Sequence, residues 1–173
     1  DPRLELHHAD AYSFLEGSRE TFDVVIVDVP DPLEEGPAYL LFTQEFYRLL
    51  KGRLNPGGLV VAQSGPSGPA FYDQCYSAVA RTAGSVFPNV YTSEAFIPSF
   101  GTTWSFVVSS LGPNPTELAP EEVDRRILER LTTELRYYDG VTHRGMFSVP
   151  KYLRAAIAAE RRVITKASPL FVS

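Results

Sequence analysis

A chain of 173 residues is long enough for one domain with a real core, and its 44% hydrophobic and 21% charged content fits a globular protein in water. Its net charge of −5 argues against a general nucleic-acid role, which needs a basic face, and no run of roughly 18 apolar residues offers a membrane span. The single cysteine, Cys75, cannot close an internal disulfide, so a reducing, cytoplasmic setting is expected.

The chain opens on Asp1-Pro2-Arg3, with neither an initiator methionine nor a signal-peptide layout, as a fragment or processed piece would. Leu4 to His8 alternates weakly and predicts a short strand. Asp10 is the candidate N-cap of a helix that runs through Leu15 and is closed by Gly17-Ser18. Val24 to Val27 is apolar at every position, which predicts a strand buried on both faces of a parallel sheet. That strand delivers Asp28, and Asp31 follows in a turn stiffened by Pro30 and Pro32. In open α/β sheets ligands bind beyond the carboxyl ends of the strands, where Asp28 falls. An acidic loop with Glu34 and Glu35 comes next, and from Asp28 up to Arg48 there are five acids (Asp28, Asp31, Glu34, Glu35, Glu45) and no base. Two carboxylates on a stiff turn at that edge suggest a site for a cation, while Glu34 and Glu35 read as solvated loop residues.

Thr43 should cap a helix over Gln44 to Leu54, with Phe46, Leu49, Leu50 and Leu54 at helical spacing. Asn55-Pro56-Gly57-Gly58 stops it, and a strand over Leu59 to Ala62 then delivers Gln63 and Ser64. Ala70 to Thr82 predicts a helix containing Cys75, read as a small buried hydrophobe. Val90 to Ile97 and Thr103 to Ser110 predict antiparallel neighbours, because the segment joining them is too short for a crossover. Helices are expected over Glu121 to Glu134 and Pro150 to Arg162, the latter with Lys151, Arg154, Arg161 and Arg162 on its solvated side, and the tail can add a stray strand. His7 and His8 point to opposite faces of any strand and do not form a metal pair. Trp104 and Phe106 read as core, Tyr137 and Tyr138 as packing residues, and His143 as the holder of a structural hydrogen bond. The alternation of strands and helices ending in a hairpin is the second half of a doubly wound α/β sheet. A Gly-rich turn after a first strand, which a nucleotide ligand on such a sheet requires, is absent.

From Asp28-Val29-Pro30-Asp31-Pro32 onward the chain resembles the polyamine aminopropyltransferases, the spermidine synthase family, in which a D-x-x-D-P turn leads to G-P-A and L-[FY]-T-x-E-F-Y. Here those segments are Gly36-Pro37-Ala38 and Leu41-Phe42-Thr43-Gln44-Glu45-Phe46-Tyr47. Leu54-Asn55-Pro56-Gly57-Gly58, Ala62-Gln63-Ser64-Gly65, Tyr137-Tyr138-Asp139, His143, Phe147 and Pro150-Lys151-Tyr152 continue the pattern. The resemblance implies a Rossmann-like, methyltransferase-type fold, mostly parallel with an antiparallel C-terminal hairpin. It also implies that this chain is the C-terminal portion of one such domain, without the β-rich domain, first strands and Gly-rich loop that normally come before it.

The same resemblance implies aminopropyl transfer from decarboxylated S-adenosylmethionine to a polyamine, putrescine or spermidine, in a cytoplasmic homo-oligomer. It calls for no further cofactor, no metal, no nucleic acid and no membrane. Asp28 falls on the family's catalytic acid and Asp31 on the acid that holds the acceptor amine. Asp10 and Ala11 fall on the segment that reads the donor's adenine, with Ala9 in place of the usual glycine; Asp10 can cap its helix as well. Pro37 and Ala38 fall on the turn packed against the adenine. Gln63 either terminates its strand or lines the acceptor channel. Phe100 stands where many putrescine users carry a tyrosine, a feature closer to the thermospermine synthases. Two rival readings remain: an S-adenosylmethionine-dependent methyltransferase, which has no need of paired acids, and a non-catalytic half-domain serving polyamine binding or assembly.

Overall fold

The computed structural model describes residues 1–34 and 36–172, with Pro37 described by its backbone only. Glu35 of the acidic loop therefore lies outside the described residues. The elements, in chain order, are helix α1 (Ala11–Gly17), strand β1 (Phe22–Val27), helix α2 (Gln44–Gly52), strand β2 (Leu54–Pro66), helix α3 (Tyr76–Gly84), strands β3 (Asn89–Ile97) and β4 (Thr102–Ser110), and helices α4 (Pro120–Arg130), α5 (Gly140–Phe147) and α6 (Lys151–Ala159). Short 3-10 turns cover Pro37–Phe42 and Pro115–Glu117. No helix among the described residues is long and apolar enough to cross a membrane.

The strands form one sheet in the order β1-β2-β4-β3. β1 runs parallel to β2, while β4 is antiparallel to both β2 and β3. Three strands therefore point one way and β4 alone is reversed. That arrangement sets the site, because the turn between β3 and β4 lies at the same sheet edge as the C-terminal ends of β1 and β2.

Local chemistry explains most of the starts and stops. The Asp10 side chain accepts a hydrogen bond from the Ser13 backbone N–H at 2.8 Å and caps α1 as its position predicts. Thr43 caps α2 through the Phe46 N–H, and Phe46, Tyr47 and Leu50 are buried on the inward face of that helix. Full burial of a side chain of this size contributes roughly 1.5–3 kcal/mol. With Val60, Ala62, Val79, Val107 and Leu153 they form the core on one side of the sheet, where α2 and α3 pack and α6 lies behind α3. On the opposite side, α5 packs on β3 and α4 packs on α5.

Several expectations are corrected. Leu4 to His8 forms no strand, and Leu4 and Leu6 are exposed. Alternation is only half of a strand's requirement, and here no neighbouring strand completes the ladder. β1 is buried on one face only: Val25 and Val27 face the core, whereas Val24 and Ile26 are 53% and 72% exposed. α2 stops at Gly52, and β2 begins at Leu54 rather than Leu59, because its first residues already bond beside Phe22. α3 starts at Tyr76, leaving Cys75 just before it but buried as expected. α4 ends at Arg130 and α6 at Ala159, each short of its predicted end. The tail contributes a single bridge, Thr165 to Ser168.

Candidate active site

Asp28 follows the last residue of β1 and is exposed at the C-terminal edge of the sheet. The turn behind it is anchored: Pro32 is fully buried, and its carbonyl accepts from the Val172 N–H at 3.0 Å. Asp31, half-buried, is held from the neighbouring strand. The Gln63 amide donates to the Asp31 carboxylate at 3.1 Å and to the Val29 carbonyl at 2.6 Å. The Gln63 side-chain oxygen in turn accepts from the Gly65 N–H and from the Trp104 indole N–H, both at 2.9 Å. Gly65 permits this close approach with a φ of 81°, in the left-handed region that favours glycine.

Two cavities flank the turn. One, of about 320 Å³, is lined by Asp28, Asp31 and Gln63 on one wall and by Ile97, Phe100, Trp104 and Phe106 on the other. The Phe100 and Trp104 rings meet with centroids 4.6 Å apart. The second, of about 500 Å³, has Asp10, Ala11, Ala38 and Leu41 in its walls. Val29, Pro30 and Asp31 border both.

Neither cavity has a basic residue in its wall, and each has carboxylates, so both favour cations. The backbone N–H of Ser13, followed by its side chain, holds the Asp10 carboxyl below the usual range, which keeps it ionised. Among the described residues no cluster of three or more His, Cys, Asp and Glu side chains is arranged to hold a metal ion. The arrangement can receive a cationic group on each side of the turn, with Asp31 bordering both spaces and Asp28 in the wall of the smaller one.

The residues singled out in the sequence divide cleanly between these spaces. Asp28, Asp31, Gln63 and Phe100 line the first cavity; Asp10, Ala11 and Ala38 line the second, which Asp31 also borders. Pro37 begins the 3-10 turn beside the second cavity, but its side chain is outside what is described. Sequence reasoning missed Trp104 and Phe106, which are cavity walls rather than core. The available signal was positional: β4 starts at the catalytic edge, so its first inward aromatics face the site.

Other polar groups are structural. His143 is buried, with its ring nitrogens 2.6 Å from the Tyr138 hydroxyl and 2.7 Å from the Pro115 carbonyl. Burial pushes the Cys75 thiol up to about 12, which leaves it unreactive.

Comparisons with known proteins show the family and the fold. Residues 1–118 match the spermine/spermidine synthase domain. The polyamine aminopropyltransferase of Sulfolobus acidocaldarius is 38% identical over 170 residues, covering 98% of this chain and 56% of that protein. A Synechococcus polyamine aminopropyltransferase (strain JA-2-3B'a(2-13)) is also 38% identical, over 98% of this chain and 55% of its own length. Among solved structures, a spermidine synthase in complex with the transition state analogue AdoDATO superposes with a TM-score of 0.78 at 28% identity, covering 92% of this chain and 53% of that one. The spermidine synthase of Thermotoga maritima gives 0.75 at 27% identity, over 92% of this chain and 52% of its own. This chain thus spans about half the length of the curated relatives it matches. With the family match over most of its length and a fold shared with spermidine synthases, the chain belongs to the spermine/spermidine synthase domain family.

Proposed function

We propose that this chain carries the reaction centre of a polyamine aminopropyltransferase, which transfers the aminopropyl group of decarboxylated S-adenosylmethionine to putrescine or spermidine. The observation that carries the reading is the shared turn: Val29, Pro30 and Asp31 separate two acid-bearing cavities, with Asp28 exposed at the strand end beside them. In this reading the amine occupies the cavity walled by Phe100 and Trp104, and the donor's adenosyl part lies against Asp10, Ala11 and Ala38.

The chemistry follows from the charges. A free polyamine nitrogen is largely protonated near neutral pH, since its pKa resembles that of Lys, about 10. Asp31 holds the cationic chain, and Asp28 takes the proton from the attacking nitrogen. The nitrogen lone pair then forms a bond to the methylene carbon beside the sulfonium. The carbon–sulfur bond breaks, its electron pair returns to sulfur, and neutral methylthioadenosine leaves. Alignment of nitrogen, carbon and sulfur supplies much of the rate, and Asp28 adds general-base catalysis. The reaction itself calls for no group beyond donor, acceptor and base. Transfer of a methyl group to a neutral acceptor would leave the pairing of Asp28 with Asp31 without a role. We infer a cytoplasmic setting, with which the free, buried Cys75 is consistent, and a homo-oligomer for the full-length protein.

The test is to incubate the full-length protein with decarboxylated S-adenosylmethionine and either putrescine or spermidine, and to assay methylthioadenosine. Product is expected with at least one amine. No product with either overturns the reading.

A further inference from the structure

Gln63 lines the amine cavity, yet its side chain has no bonding capacity left for an amine. A primary amide offers two N–H donors and two acceptor lone pairs. Here the nitrogen donates to the Val29 carbonyl and to Asp31 Oδ1, and the oxygen accepts from the Gly65 N–H and the Trp104 indole N–H. All four positions are occupied, and the residue is only 5% exposed. Its orientation follows from its partners. The indole and the backbone amide can only donate and the Val29 carbonyl can only accept, so the amide nitrogen must face the turn. The group presented to Asp31 is therefore a donor, and it takes one carboxylate oxygen. Among the described residues Asp31 receives no other hydrogen bond, so Oδ2 is left for a ligand.

Trp104 is the far end of this chain of bonds. Its indole lies against Phe100, which is 58% exposed on the turn between β3 and β4, and its N–H reaches inward to Gln63. Without that N–H, the Gln63 oxygen would keep only the Gly65 N–H as partner, and the amide would be held by three bonds instead of four, free to tilt away from Asp31, its longest contact. Two side chains from neighbouring strands thus converge on one carboxylate, without either offering the ligand a polar atom.

We propose that Gln63 and Trp104 are positioning residues that set amine affinity through Asp31: the indole fixes the amide, and the amide turns Asp31 so that one oxygen faces the amine. This rests on the reading of the cavity as the amine site. It assigns Gln63 a role other than direct contact with the acceptor, and gives Trp104 a role beyond that of an apolar wall.

A double-mutant cycle separates the alternatives. Trp104→Phe keeps an aromatic wall and removes the N–H; Gln63→Met keeps the length and removes all four bonds. In the full-length protein, Trp104→Phe is expected to raise the KM for spermidine or putrescine about tenfold, the effect of one lost buried hydrogen bond. The donor KM should move far less, because Val29 remains bonded. Gln63→Met should raise the amine KM at least as much, and adding Trp104→Phe to it should change little more. Multiplying effects in the double variant would mean that Trp104 touches the amine directly and would overturn the proposal. So would an unchanged amine KM in Trp104→Phe, or a donor KM that rises equally in a variant whose melting temperature is normal. If the wild type releases no methylthioadenosine, the catalytic reading fails on its own, and the same cycle is read as Kd for spermidine by calorimetry. Wild-type protein that binds no spermidine overturns both.

Discussion

Asp28 and Asp31 are three residues apart and differ in their surroundings. Asp28 is exposed at the end of β1, whereas Asp31 is half-buried and tied to Gln63. In the proposed reaction that asymmetry suits Asp28 to proton removal and Asp31 to holding the amine. Asp28→Asn, isosteric and unable to take a proton, is expected to lower kcat by about 10²–10⁴-fold, the usual contribution of a general base. The KM for the amine should change little, because Asp31 still holds the cation. Steady-state assays of methylthioadenosine release across amine concentrations check both quantities, and wild-type turnover in Asp28→Asn would remove Asp28 from the role of base. These acids were legible in the sequence because their signal is local: an apolar strand, an acid at its end and prolines that stiffen the turn. Trp104 was not legible, since its bond to Gln63 links residues 41 apart in the chain. An aromatic on a strand has the same sequence signature whether it faces a core or a cavity.

The elements show the same division between local and tertiary causes. α1 and α2 could be read from their caps, Asp10 and Thr43, which act within three residues. α5 could not, because its sequence, with Gly140, Thr142, His143 and Gly145, has little helical preference. It is held by Asp139, which caps it through the Thr142 N–H, and by contact with α4. Gly140 is the key to that contact. Its N–H donates to Asp124 at 2.7 Å, and a Cβ added there would run into the backbone of Pro120. Gly140→Ala should therefore destabilise the protein by about 1–3 kcal/mol, a typical cost of overpacking, read as a lower melting temperature. The end of α6 depends on charge instead. Bonds from Arg162, then burial in opposition and further backbone and Ser77 hydrogen bonds, leave the Glu160 carboxyl at about 2. Its folded value lies below its ordinary one, 4.5, so the stability it contributes is present above about pH 4.5 and is lost as pH falls towards 2. Because Arg162 is half exposed, the contribution is discounted to about 1–2 kcal/mol. Urea midpoints should show Glu160→Gln weaker than wild type near pH 7, with the gap narrowing below about pH 4.5 and closing only towards pH 2. A gap that persists in acid would mean that the ion pair is not its source.

At the scale of the whole molecule, the single reversed strand is what assembles the site. With β1, β2 and β3 pointing one way and β4 the other, Asp28, Gln63, Ile97 and Trp104 reach one sheet edge from four strands or their ends. The hairpin could be read from its short connection, and the pairing of β4 between β2 and β3 only from the fold. The bare face of β1 could not be read at all, because an all-apolar run looks the same whether one side or both are covered. The same edge is split by the turn into two compartments, and the split can be tested without touching either acid. Ala38 lies in the wall of the larger cavity and is absent from the wall of the smaller. Ala38→Phe adds a ring to a space of about 500 Å³ without altering its charge. If the adenosyl part of the donor lies there, the donor KM should rise about tenfold or more, comparable to the loss of 1–2 kcal/mol from an overpacked contact, while the amine KM stays near its wild-type value. Trp104→Phe should give the reverse pattern. Kinetics with each substrate varied at saturating levels of the other distinguish the two. An Ala38→Phe enzyme that loses amine affinity with its donor KM intact would exchange the occupants of the two cavities. Equal losses on both sides would mean that the turn moves as one body and does not partition the edge.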